Sequence, residues 1–199
     1  DIIASSIRID DLETFEQVTM HHFDFDSTLR IERSPFESCE YVNKGCYLIE
    51  YAAFFGSLVC FKYLAEKYTL LPFNIAKFAI AGGKKEIISI CEQKHCNFDD
   101  TLTPAIIYRR QGLIEWLVNE KNQTVSLSHL NDCIEYGNFT ALKYFIQVLN
   151  KSIYDLTIAA RYNLFELIHT IDSYRSVLRL QNRYNNNNNS FEDDNNSSS

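Results

Sequence analysis

Leu48 to Glu66, LIEYAAFFGSLVCFKYLAE, is the stretch whose reading decides the fold. An apolar segment carrying Ala52-Ala53 runs up to Gly56. Beyond it, Leu58, Phe61, Leu64 and Ala65 recur at i, i+3, i+6 and i+7, the spacing of one helix face. A glycine at the joint supplies the left-handed conformation that ends one helix and turns the chain into the next. The segment therefore predicts a short helix, a tight turn and a longer helix. One such pair leaves an apolar flank uncovered, so neighbours of the same kind are required.

The neighbours are present downstream. Ile75 to Glu92, Leu102 to Val118, Leu130 to Ile146 and Leu156 to Asp172 repeat the pattern. Small anchor residues stand at Ala52, Ala79, Ala105, Cys133 and Ala159, spaced 27, 26, 28 and 26. Three places before each anchor are Ile49, Ala76, Leu102, Leu130 and Leu156. Nine places after it are Phe61, Ile88, Ile114, Leu142 and Ile168; twelve after it are Leu64, Cys91, Leu117, Phe145 and Ile171. The anchor is small because the two helices of a pair cross closely there. Gly56, Gly83 and Gly137 occupy the turn, with Arg109 and Asn163 in the other copies. Asn tolerates the left-handed geometry, whereas Arg109 predicts a changed turn in the third copy.

Upstream, Ile7 to Met20 matches only a second helix, with Leu12, Phe15 and Val18 in the columns of Leu58, Phe61 and Leu64. A truncated copy is expected there, followed by an insertion over Phe23–Gly45. Ser34-Pro35 suits a helix start, so a short helix from Pro35 to Val42 is expected. The chain thus divides into a partial repeat with its insertion over residues 1–47, repeats over 48–176 and a tail over 177–199. The Asn/Ser tract after Arg183 has almost nothing apolar to bury, and disorder is expected of it.

The 199 residues are 46% hydrophobic with a net charge of -7, enough for a real core and unsuited to a phosphate backbone as main partner. No apolar run approaches the length needed to cross a bilayer. The six cysteines lie mostly inside apolar helical stretches, which favours reduced, buried thiols and a cytoplasmic location.

Gly83 to Cys91, GKKEIISIC, resembles the second-helix consensus of ankyrin repeats, Gly-His-x-Glu-Val-Val-x-Leu-Leu. Ala52-Ala53 and Ala159-Ala160 resemble the ankyrin double alanine. The segment at Leu48–Leu64, with Asp10–Phe15 and Ser34–Glu37, is similar to an ankyrin-like domain of unknown function expanded in flagellate protists. The resemblance covers roughly Ile7 to Asp172. It implies an all-α, ankyrin-like solenoid of about five helix pairs plus a partial N-terminal repeat. Copies of 26 to 28 residues against about 33 in ankyrins imply short or absent β-fingers, with short loops near Tyr68–Phe73, Asn97–Thr101, Asn122–Ser128 and Asn150–Tyr154.

The resemblance also points to a surface. In ankyrin proteins the two positions before the turn glycine line the concave face. Here they are Phe54-Phe55, Ala81-Gly82, Ile107-Tyr108, Glu135-Tyr136 and Arg161-Tyr162. Phe54, Phe55, Tyr108, Glu135, Tyr136, Arg161 and Tyr162 are the candidate partner-binding residues, since aromatics and Arg dominate interface energies. The competing reading makes the aromatic row a ladder that only joins neighbouring repeats.

Other features carry less. Cys91, His95 and Cys96 place soft ligands together but lack a second pair, and adjacent His21-His22 diverge on a helix, so no metal is expected. No catalytic signature or phosphate-cradling loop is present, and no cofactor is expected. The expectation is a monomeric, non-enzymatic scaffold or adaptor for an unknown protein partner, without nucleic acid or membrane. The alternative is a regulatory fragment of an enzyme whose catalytic domain precedes residue 1.

Overall fold

The small anchors and the turn residues organise the chain as helix pairs. A computed structural model describes residues 2–20, 29–33 and 39–149, all within one unit, residues 1–149; a second unit, residues 150–199, lies outside the described residues. The fifth copy around Ala159, the loop at Asn150–Tyr154, the Asn/Ser tract, the His21-His22 pair and the Pro35 helix start all fall outside them too.

In chain order, α1 (Ile2–Arg8) and α2 (Leu12–Thr19) form the first pair. The insertion contributes β1 (Arg30–Ile31), α3 (Glu40–Asn43) and β2 (Cys46–Tyr47), with β1 and β2 antiparallel. Then come α4 (Leu48–Phe55) with α5 (Leu58–Lys67), α6 (Ile75–Gly82) with α7 (Lys85–Gln93), α8 (Leu102–Ile107) with α9 (Gln111–Asn119), and α10 (Leu127–Glu135) with α11 (Phe139–Val148). The described chain is mostly helical, as expected. Among the described residues, no helix is long and apolar enough to cross a membrane. No strand forms at Tyr68–Phe73, Asn97–Thr101 or Asn122–Ser128.

Two layers result. The first helices pack in series, α1 on α4, α4 on α6, α6 on α8 and α8 on α10. The second helices lie alongside, α2 against α5, α5 against α7 and α9 against α11. The anchors Ala52, Ala79, Ala105 and Cys133 are buried, as are Phe61, Ile88, Ile114 and Leu142 in one column and Leu64, Cys91, Leu117 and Phe145 in another. Burying a side chain of this size stabilises by about 1.5–3 kcal/mol.

Two expectations need correcting. The N-terminal copy has both helices, and Ser6, nine places before Phe15, is its buried anchor. Arg109 also does not change its turn. Its φ of 54° matches Asp10 at 58°, Gly56 at 71°, Gly83 at 78° and Gly137 at 64°. The turn wins over the side chain because the amide after the left-handed residue closes onto the anchor carbonyl: Asp11 N on Ser6 O at 2.9 Å, Ser57 N on Ala52 O at 3.0 Å, Arg110 N on Ala105 O at 2.9 Å and Asn138 N on Cys133 O at 2.7 Å. These bonds satisfy helix-end carbonyls that would otherwise be orphaned inside the fold.

The residue that donates this amide also ties one pair to the pair before it. Ser57 Oγ donates to Ile7 O, Arg110 Nε to Ala81 O at 2.9 Å and Asn138 Nδ2 to Ile106 O at 2.9 Å. Asp10 adds a link of its own, its carboxylate accepting from Val59 N at 3.0 Å and Cys60 N at 2.9 Å and so capping α5 from the preceding turn.

Candidate functional site

The candidate rings gather at the C-terminal ends of the first helices. Phe54 and Phe55 close α4, and Tyr108 caps α8. Phe54 meets Phe55 edge-on at 5.1 Å and meets Tyr108 edge-on at 5.2 Å. Phe54 and Tyr108 belong to pairs that are not sequence neighbours, and they touch because the pair between them presents Ala81 and Gly82. Gly82 lies so close to α4 that a Cβ would stand 2.7 Å from Phe54 O and nearer still to Ala53 O. The small pair that interrupts the aromatic row is therefore what allows the rings on either side to meet.

The insertion covers one end of this row. Tyr41 of α3 packs edge-on against both Phe78 and Tyr108, at 5.7 Å in each case. Cys39 Sγ and Tyr108 Oη are hydrogen-bonded at 2.8 Å. At the other end Tyr51 lies 4.6 Å from Phe55, and the Arg8 guanidinium sits 5.0 Å above Phe55 and 5.6 Å above Tyr51. Edge-on ring pairs contribute about 0.5–1.5 kcal/mol each beyond their burial. Phe54, Phe55 and Tyr108 are all half-buried, so each ring both supports the stack and shows an edge to solvent.

The remaining candidates stand apart from that run. Tyr136 caps α10, its carbonyl accepts from Arg109 Nη2 at 3.4 Å, and it is half-buried; Glu135 beside it is exposed. Arg161 and Tyr162 lie outside the described residues. Sequence reasoning missed Arg8, Cys39, Tyr41, Tyr51 and Phe78. Tyr51 and Phe78 sit on apolar first helices where no periodicity separates a core ring from a surface ring. Cys39 and Tyr41 belong to the insertion, which has no repeat column to mark them.

One charge near the row is buried. Glu50 of α4 is buried, with Oε2 accepting from Tyr47 N at 2.9 Å. Burial raises its carboxyl above the ordinary range, opposed by that hydrogen bond and by Arg30, whose guanidinium lies 4.5 Å over the Tyr47 ring. Arg30, Tyr47 and Glu50 line an open hollow of about 590 Å³, bordered by the loop that carries Pro72 and Phe73.

Residues 71–147 match the family model described as Domain of unknown function (DUF3447). The DUF3447 match begins just before α6 and ends within α11, so it takes in two complete helix pairs and nearly all of a third. Tyr108, Glu135 and Tyr136 fall inside the DUF3447 segment, whereas Phe54, Phe55 and the insertion residues that cover Tyr108 fall before it. No curated protein and no solved structure matches the chain.

Proposed function

We propose that this chain is an ankyrin-like helical-repeat solenoid that binds another protein through the concave edge of its first helices, acting as a non-enzymatic scaffold or adaptor. The observation that carries the reading is the half-buried ring row of Phe54, Phe55 and Tyr108, continued along the layer by Glu135 and Tyr136. Rigid aromatic edges beside exposed charge are the material of interface hot spots. A row already ordered by its own stacking loses little freedom on binding. The acidic balance of -7 favours a protein surface over nucleic acid. A cytoplasmic, monomeric adaptor with no cofactor fits the reduced cysteines and the stacked pairs; Arg161 and Tyr162 would extend the same edge in the fifth copy.

Glu135 and Tyr136 make the better probe, because Tyr108 also supports the stack. Proximity labelling in the native cell with the wild-type chain and a Glu135→Lys, Tyr136→Ser variant tests the reading. The neighbours labelled by the wild type should fall away with the variant while its thermal melt stays close to wild type. An unchanged set of labelled neighbours for a folded variant refutes binding along this edge.

A further inference from the structure

Four of the hairpin turns share a six-residue closure in which the amide of the sixth residue returns to the carbonyl of the first, and α7 ends in the same way. Cys96 N donates to Cys91 O at 2.9 Å, and His95 between them has a φ of 54°. This closure lays the sixth side chain back against the first. In the hairpin turns those two places hold Ser6 and Asp11, Ala52 and Ser57, Ala105 and Arg110, or Cys133 and Asn138. At the end of α7 both are cysteines, and both are free thiols held to the same backbone closure.

The two sulfurs differ in surroundings. Cys91 is buried in the column of Leu64, Leu117 and Phe145, whereas Cys96 is half-buried at the mouth of the turn. The hydrogen bond from Cys91, with help from Lys94, lowers the Cys96 thiol below its ordinary range against the opposing effect of burial. The same bond and burial push Cys91 up. Elsewhere, Cys46, Cys60 and Cys133 are buried, with Cys60 and Cys133 pushed up to about 12, chiefly by burial, and Cys39 is engaged with Tyr108. A thiol both accessible and easily ionised is the one that attacks disulfides.

We propose that Cys91 and Cys96 form a thiol–disulfide exchange site, in which Cys96 attacks a low-molecular-weight disulfide of the glutathione type and Cys91 resolves the product into an internal Cys91–Cys96 disulfide. The Cys96 thiolate attacks one sulfur of the small disulfide; that bond breaks, a mixed disulfide forms and one small thiolate leaves. Cys91 then loses its proton and attacks the Cys96 sulfur, expelling the second small thiolate. Two protein thiols are oxidised, one small disulfide is reduced to two thiols, and those thiols take up the two protons. Oxidation would pin the end of α7 and the loop beyond it, where Phe98 O and Thr101 Oγ1 already accept from Gln123 Nε2 at 2.6 Å and 2.9 Å. The inference is independent of the partner-binding reading.

The test is oxidised glutathione added to the folded full chain, followed by alkylation, intact mass and peptide mapping. The expected product has lost two hydrogens, carries its crosslink at Cys91–Cys96, and returns to the starting mass with dithiothreitol. A Cys91→Ala variant should stop at a lasting glutathione adduct on Cys96, and Cys96→Ser should abolish both products. A glutathione adduct that persists on Cys96 of the wild type overturns the proposal, as does first modification at another cysteine, or a Cys91 and Cys96 that remain alkylatable. The wild-type mapping decides the matter alone if a variant fails to fold.

Discussion

α6 and α7 belong to one hairpin and bury themselves in opposite manners. α6 lies between α4 and α8, and Ile75, Ala76, Phe78, Ala79, Ile80 and Ala81 are all buried. α7 lies in the outer row and buries Ile87, Ile88 and Cys91 along one face. In the middle of the first-helix layer α6 is packed from two sides and has no slack. The second-helix layer is packed from one side and keeps room: a hollow of about 550 Å³ lies between α7 and α9, lined by Ile88, Leu113 and Trp116. Repeat packing of this kind makes each interface a nearest-neighbour term, so damage in the tight layer uncouples the pairs on either side.

Two glycines break or sharpen that contrast most directly. Gly82→Ala forces a Cβ into the α4 backbone, 2.7 Å from Phe54 O. Urea unfolding should show a loss of about 3 kcal/mol, at the upper end of overpacking costs, together with a weakened Phe54–Tyr108 contact. A wild-type midpoint for this variant would mean that the layer yields more easily than its spacing indicates. Asn138→Ala cuts between the layers. It removes the Asn138 Oδ1 cap on Ala141 N, at 3.1 Å, and the bond to Ile106 O. The expected loss is about 2 kcal/mol, from a cap plus a buried hydrogen bond, and Asn138→Asp should recover the cap alone.

Gly112→Ala is the outer-layer counterpart of Gly82→Ala. A Cβ at Gly112 meets nothing within 4 Å, so the chain should gain about 0.5–1 kcal/mol from the lost flexibility of glycine in α9. Destabilisation here would show that the hollow between α7 and α9 closes in solution. The smallest effect is a pH slope at His129, half-buried on α10 with Nδ1 accepting from Ser126 N at 3.1 Å. Burial lowers its pKa, opposed by Asp132 and Asp100, so the folded state binds fewer protons than the unfolded chain. This contribution is present above the unfolded value of about 6.5 and is lost as pH falls through the folded value. Thermal melts from pH 7 downward should fall less steeply for His129→Gln than for wild type.

The same contrast explains what could be read in advance. The second helices declare themselves by amphipathic spacing, as at Leu58, Phe61 and Leu64, because one face meets water. The central first helices, α4, α6 and α8, are apolar nearly all round, so their small anchors and following turns are what mark them. The candidate rings were legible as a row from their place before the turn. That Phe54 and Tyr108 touch over Gly82, and that Tyr41 and Cys39 close one end, was not legible. The strands of the insertion, Arg30–Ile31 and Cys46–Tyr47, are too short to carry an alternating pattern.

By itself the sequence determined the four helix pairs from Leu48 to Val148, their spacing and their buried columns, since those follow from local periodicity and from small residues where helices cross. Only the tertiary structure decided that the turn inside each described helix pair is left-handed whatever side chain it carries, that polar side chains after the turns stitch neighbouring pairs together, and that two cysteines share the closure at the end of α7. Each of these depends on where a backbone carbonyl or a sulfur lands once the chain has closed. Residue spacing fixes a direction along one helix, but it cannot fix the distance between atoms brought together by separate elements.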